Sequence, residues 1–548
     1  MCCPAGVHAA VIDSRVVPKG SPVCLTWQGA EMDRRSFLTL LGAACFAPVV
    51  PNRLHAQTKP AYGPLGLNLT GMSYWSNEHA FSNLGYNASR WRLQDRNAPF
   101  TWDAPLPPMT QDGYPTVIPP QTVLETFLIY TRRRHHLPAK LMVFYDGKGK
   151  LAYTGGAKLD TRAPGFDLIT NLPNDAAIAA QLTETDPANP LRNIRVFEEG
   201  AMPDGTFRAP FISRVRNMAC LRFMDWMGTN NSEIRHWQDR PTKGAFGRTE
   251  HGVPLEHMIE LSNLVGVEPW FNMPHLADDT YVRQFAMQVR DTLDPSLRIY
   301  VEYSNEVWNF TFGQARHALE QGLRLGLSSS DYEAQLRFYA KRSTEMLSIW
   351  DDVFGEQKGR VLGVYGSHSA NAWSSTTILD WDGARQFADI LAVAPYFGGE
   401  LGFPEKAGDV SDWSSDQLFA TLTHEVADTN AALIRSQVKV AREYGVELAA
   451  YEGGQHLVGV GGAENNDKLN TLFMAANRDP RMARLYSDHL ENWWTCGGGL
   501  YAAFSSMSEP SKWGSWGLLE FEGDDAVKWN ALQRYLSHQS ASKNKMDL

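Results

Sequence analysis

From about residue 245 the sequence alternates short apolar runs with longer amphipathic ones, and this rhythm restricts the fold more than any other feature. A parallel strand needs a long crossover to return to the same end of its sheet, so such alternation builds βα units. The pattern predicts strands at 266–272, 297–304, 360–367, 390–396, 446–452 and 498–505. Helices are predicted between them near 279–292, 313–325, 331–353, 427–444 and 481–495. Upstream, 65–72 and 220–226 supply two more strands, the second followed by a helical stretch at 254–265. Eight parallel strands close into a cylinder and so remove the exposed edges of an open sheet. The expected fold class is therefore α/β, a (β/α)8 TIM barrel.

The interval between the first two strands is too long for a loop. It holds alternating segments at 140–145, 150–154 and 193–198, punctuated by the turn pairs Asp146-Gly147 and Asp204-Gly205. Residues 97–210 are thus expected to form a β-rich module, a small sandwich, inserted between the first and second barrel strands. The barrel itself is assigned to 57–96 and 211–540, and residues 541–548 to a disordered tail.

The N-terminal stretch has a different character. Met32-Asp33-Arg34-Arg35-Ser36-Phe37-Leu38 gives paired arginines followed by an apolar run through Val50, and Leu54-His55-Ala56 offers a small residue for cleavage. The run falls short of the roughly 20 residues a membrane span requires. Its layout is that of a twin-arginine signal peptide within residues 1–56, with Met32 as the expected start, and it implies export to the periplasm or beyond. Four of the six cysteines fall in this leader. Cys220 and Cys496 remain, as buried thiols or as one disulfide, and neither has metal-like spacing. The formal charge is −10, and the one basic run, Arg132 to His136, is isolated. That balance argues against a nucleic-acid partner. No HExxH, P-loop, dinucleotide fingerprint or Gly-x-Ser-x-Gly elbow occurs.

Two predicted strands end in a carboxylate. Ile299-Tyr300-Val301-Glu302-Tyr303-Ser304-Asn305-Glu306 runs into Val307-Trp308-Asn309, and Leu448-Ala449-Ala450-Tyr451-Glu452 runs into Gly453-Gly454. Side chains at the C-terminal ends of barrel strands face the active-site mouth. Two carboxyls there suit cleavage of a glycosidic bond: one protonates the leaving oxygen, the other attacks the anomeric carbon. Such chemistry calls for no metal and no organic cofactor. Glu302 points the same way as Glu306 but deeper, as a buried partner for Arg222.

In these two motifs the sequence resembles clan GH-A, the retaining (β/α)8 glycoside hydrolases, over about residues 60–540. The resemblance implies that Asn305-Glu306 ends strand four with Glu306 as acid/base, and that Glu452 ends strand seven as nucleophile. It further implies that Arg222 holds the nucleophile ionised, that Asn305 binds the sugar 2-hydroxyl and that Tyr396 touches the nucleophile. His275 is expected as a subsite histidine and Trp516 as a sugar platform. Read from the residues themselves, His368 lines the cleft or caps a loop, and Trp308 is a platform or core. Trp270 and Trp373 are each a platform or core. The implied partner is a β-linked poly- or oligosaccharide, attacked in endo fashion, with the inserted module binding carbohydrate or walling the cleft. A secreted carbohydrate-binding barrel without turnover, or a transglycosylase, is the alternative.

Overall fold

The computed structural model describes residues 62–546, apart from 96, 100, 102–103, 131–138, 173–175, 202–204 and 250. The twin-arginine segment, its cleavage site, Asp204 and the basic run at 132–136 lie outside the described residues.

Eight strands, Leu65–Asn68, Cys220–Arg222, Glu268–Met273, Ile299–Tyr303, Val361–Gly366, Ile390–Val393, Glu447–Ala450 and Tyr501–Ala503, pair in this order. All pairings are parallel, and the last strand returns to the first through Leu65 opposite Tyr501. The chain is a (β/α)8 TIM barrel. Most strand residues are buried on both faces, as parallel strands covered by helices must be. The ladders are shorter than the apolar runs that announced them. The second strand stops at Arg222, where Phe223 to Met227 closes a helical turn through Met227 N–H donating to the Phe223 carbonyl. Beyond the ends of the ladders, irregular segments carry side chains onto the mouth.

Outward-facing strand residues pack on the helices. Phe271, fully buried, stacks on Phe223 at 5.7 Å and meets Phe285 edge-on at 5.1 Å. Inward-facing residues fill the lower bore, where Trp270 stacks on Tyr300 at 5.3 Å beside Cys220, Val364, Ile390 and Ala449. Both cysteines are free thiols, Cys220 within this bore and Cys496 half-buried.

The insertion between the first two barrel strands consists of two four-stranded antiparallel sheets. One orders Arg92–Asp95, Thr122–Ile129, Ile178–Thr185 and Gly149–Gly155, the other Ala157–Ala163, Phe166–Asn171, Lys140–Asp146 and Arg192–Glu198. They enclose their own core, including Leu124, Leu141, Val143, Ile169 and Val196. Phe246, from the segment after barrel strand two, enters that core against Trp91 and Tyr114 and fastens the module to the barrel. The last helix, Val527–Met546, runs into the segment expected as a tail. Nothing in that segment breaks a helix, since it holds neither glycine nor proline.

The Phe271 contacts yield a stability prediction. Phe271→Ala removes a buried ring between strand and helix and should cost about 3–5 kcal/mol. Calorimetry should show a clear fall in Tm, whereas Leu264→Ala, at a side chain 61% exposed, should leave Tm unchanged.

Candidate active site

Arg222 ends the second strand with its guanidinium in the upper bore, fully buried. One terminal nitrogen donates to Glu452 Oε1 at 2.8 Å and Asn68 Oδ1 at 3.1 Å. The other donates to Glu302 Oε2 at 2.9 Å and Asn305 Oδ1 at 2.8 Å. The same Glu302 oxygen accepts from Trp270 Nε1 at 2.9 Å and Asn272 Nδ2 at 2.7 Å. Burial works against the arginine's charge, yet the two carboxylates outweigh it and hold the cation more firmly than in water. Of the two roles left open for Trp270, platform or core, the structure gives it the core one, within this buried network.

Glu452 follows the seventh strand and is 5% exposed. Its second oxygen accepts from the Tyr396 hydroxyl at 3.0 Å. Tyr396 is positioned from behind: Asn430, in the π-helical turn Val426–Asn430, donates through Nδ2 to the Tyr396 carbonyl at 3.0 Å. The two glycines after Glu452 have separate reasons. A Cβ at Gly453 would stand 2.2 Å from the Tyr501 hydroxyl, and Gly454 adopts φ +142°, which a side chain disfavours.

Glu306 lies three residues beyond the fourth strand, at φ 43°. Its Oε1 accepts from the Tyr451 hydroxyl at 3.0 Å and its Oε2 from Asn309 Nδ2 at 2.9 Å. Trp308 donates to the same Tyr451 hydroxyl at 3.3 Å and stacks on His368 at 4.3 Å. Asn305, between Glu302 and Glu306, donates to Asn230 Oδ1 at 3.0 Å, and Gln314 donates to that oxygen at 2.7 Å.

The two glutamates sense each other's charge. Burial pushes Glu306 above the usual carboxylate range, against the donors from Asn309 and Tyr451. Burial also pushes Glu452 up, to about 8, with the Arg222 charge opposing it and the Glu306 charge adding to it. Glu452 receives donors from a cation and a phenol, which favour its anion, while Glu306 receives only neutral donors. Tyr396 and Tyr451, both pushed well above the ordinary tyrosine range by burial first, keep their protons and remain donors. Asp225, raised to about 6 by burial, is a third carboxyl whose charge reaches Glu452.

Of the residues singled out in the sequence, Arg222, Asn305, Glu306, Trp308, His368, Tyr396 and Glu452 meet in this network. Trp516 joins it at one remove, its ring 5.9 Å from Tyr396 and 4.9 Å from His456. His275 stands apart. It is 7% exposed and faces His317 at 5.5 Å, its carbonyl accepts from Tyr303, and burial pulls its pKa to about 4. None of its described contacts reaches either glutamate. Tyr451, Asn68, Asn230, Asn272 and Gln314 are members that sequence reasoning passed over. Only Tyr451 carried a signal, its place beside Glu452.

No family model matches the chain, and no curated protein matches its sequence. Among solved structures it is similar to the GH51 arabinofuranosidase from Xanthomonas axonopodis pv. citri, at 13% identity and TM-score 0.37, over 57% of this chain and 62% of that one. It is similar to a GH5-4 broad specificity endoglucanase from Clostridium longisporum at 13% identity and TM-score 0.38, over 62% of this chain and 89% of that one. A modular endo-beta-1,4-mannanase from Cellulomonas fimi also matches, at 13% identity and TM-score 0.31, over 58% of this chain and 63% of that one. The chain thus spans less than two thirds of the arabinofuranosidase and of the mannanase. No helix of the described residues is long and apolar enough to cross a membrane.

The Tyr451 bond sets a titration. A donor to a carboxylate favours the anion, so Tyr451→Phe should raise the Glu306 pKa. Infrared difference titration of the carboxyl band, compared with Glu306→Gln, should show that upward move; a downward move would contradict the assigned donor.

Proposed function

We propose that this chain is a retaining glycoside hydrolase cleaving β-linked poly- or oligosaccharide by double displacement. The supporting observation is the unequal treatment of two coupled carboxyls at one barrel mouth: Arg222 and Tyr396 donate to Glu452, Tyr451 and Asn309 to Glu306. In the first step a Glu452 oxygen forms a bond to the anomeric carbon as the glycosidic C–O bond breaks. The Glu306 proton passes to the departing oxygen. In the second step Glu306, now a carboxylate, takes a proton from water, whose oxygen attacks the anomeric carbon and releases Glu452. Asn305, held by Arg222 and Asn230, is the residue assigned to the sugar 2-hydroxyl. Residues 32–56 belong to the same proposal as an export leader, delivering the enzyme to the periplasm or outside, where polysaccharide is met. Endo action is proposed with it.

The test combines substrate, variant and stereochemistry. Purified protein is screened on glucans, mannans, xylans and bacterial exopolysaccharides, and the anomer first released is followed by proton NMR; retention is expected. Glu306→Ala and Glu452→Ala should each lower turnover of an unactivated substrate by at least about 10²–10⁴-fold. Azide should rescue both on an activated aryl glycoside and return opposite anomers. Normal turnover in both variants would end this reading, and binding without cleavage would mark a barrel that has lost turnover.

A further inference from the structure

Phe310, Tyr332 and Trp373 form a row of aromatic rings at the surface. Phe310 is 50% exposed and Trp373 48%, with Tyr332 half-buried between them. The ring centroids are 5.8 Å apart from Phe310 to Tyr332 and 6.0 Å from Tyr332 to Trp373, with interplanar angles of 41° and 37°. Single exposed aromatics are ordinary, but three in contact are not.

The row is continuous with the catalytic residues through two separate segments. Phe310 follows Glu306 and Trp308 in the segment after strand four. Trp373 follows His368 in the segment after strand five. The stack of Trp308 on His368 joins the two segments at their inner ends, where Trp308 also donates to Tyr451, the donor to Glu306. The row is thus the outer extension of the Glu306 side of the mouth, built from strands four and five. Glu452 belongs to strand seven.

Resting on the reading of Glu306 as the acid, we propose that Phe310, Tyr332 and Trp373 form a shelf that binds the leaving-group half of the substrate, and that this half is itself an oligosaccharide. The acid must sit beside the departing oxygen, so whatever that oxygen carries extends along the Glu306 side. Sugar rings present flat C–H faces to aromatic rings and hydroxyls to the polar groups beside them. The Asn309 side chain and the Tyr332 hydroxyl, which bonds Ser374, flank the row. A shelf two ring contacts long suits a chain of sugars and exceeds the needs of a small aglycone.

Wild type, Phe310→Ala and Trp373→Ala are compared on two substrates, a hexasaccharide of the glycan that the wild type cleaves and the matching nitrophenyl monoglycoside. For each variant kcat/KM on the hexasaccharide should fall about five- to tenfold, while the ratio to the monoglycoside rate falls equally. Trp373→Phe should restore much of the loss. An equal fall on both substrates, or none on the hexasaccharide, overturns the shelf. Calorimetric titration of gluco-, manno- and xylo-hexaoses into Glu306→Gln and Glu306→Gln/Trp373→Ala separates this proposal from the reading beneath it. Weaker hexaose binding on loss of Trp373 supports the shelf even where no cleavage occurs, and unchanged binding, or no binding to either protein, rejects it. Dimers that become monomers in both variants by sedimentation would assign the row to a second copy of the chain instead.

Discussion

One guanidinium holds the centre of this barrel together. Arg222 reaches Asn68 from strand one, Glu302 from strand four, Asn305 just beyond it and Glu452 after strand seven. A buried ion of this size is costly to desolvate, and only a well-formed set of acceptors offsets that cost. The planar fork of arginine suits the task because its two terminal nitrogens serve four acceptors in fixed directions. A lysine ammonium, a compact point charge on a flexible stem, would not. Strands distant in sequence are thereby held in register at their C-terminal ends, where geometry governs reactivity.

The same cation gives the acidic side chains in one bore different surroundings. Glu302 accepts from Arg222, Trp270 and Asn272 on one oxygen and lies fully buried. Glu452 shares the cation but turns its other oxygen toward Tyr396. Glu306 has no bond to the cation and so carries the cost of burial with neutral donors alone. Differences in donor type, more than differences in depth, distinguish the surroundings of Glu306 from those of Glu452.

Much of this was legible in the sequence, for a physical reason. The eight strands are apolar on both faces and short, and each carboxylate comes after such a run, so a period count placed both at the same rim. Arg222 and Tyr396 came from the resemblance, the first within predicted strand two and the second at the end of predicted strand six. The residues passed over act across the bore or from loops. Asn68 closes a four-residue strand whose only mark is its apolar surroundings, and its side-chain amide donates to the carbonyls of Tyr451, Ala502 and Ala503. Asn230 and Gln314 lie in irregular or helical segments with no local sign that they converge on Asn305. Trp270 was left open between platform and core. Exposure cannot be read from residue type, and an indole that suits a platform equally suits the floor of a barrel.

The segment carrying Glu306 shows how the fold supports an unfavourable local geometry. Ser304 and Glu306 both take left-handed backbone angles, φ 60° and 43°, which cost about 1–3 kcal/mol each in residues with a Cβ. Three buried amides compensate by clamping consecutive parts of this turn. Asn272 donates to the Ser304 carbonyl, Gln314 to the Asn305 carbonyl and Gln335 to the Val307 carbonyl. Each clamp comes from a different element: strand three, the helix Gly313–Arg324 and the helix Asp331–Phe354. The turn is therefore fixed from below and from two sides, and the Glu306 carboxyl stays aimed at the mouth although its own backbone favours another course. The second of these helices also bears Tyr332, so one element both braces the Glu306 turn and carries part of the outer aromatic row.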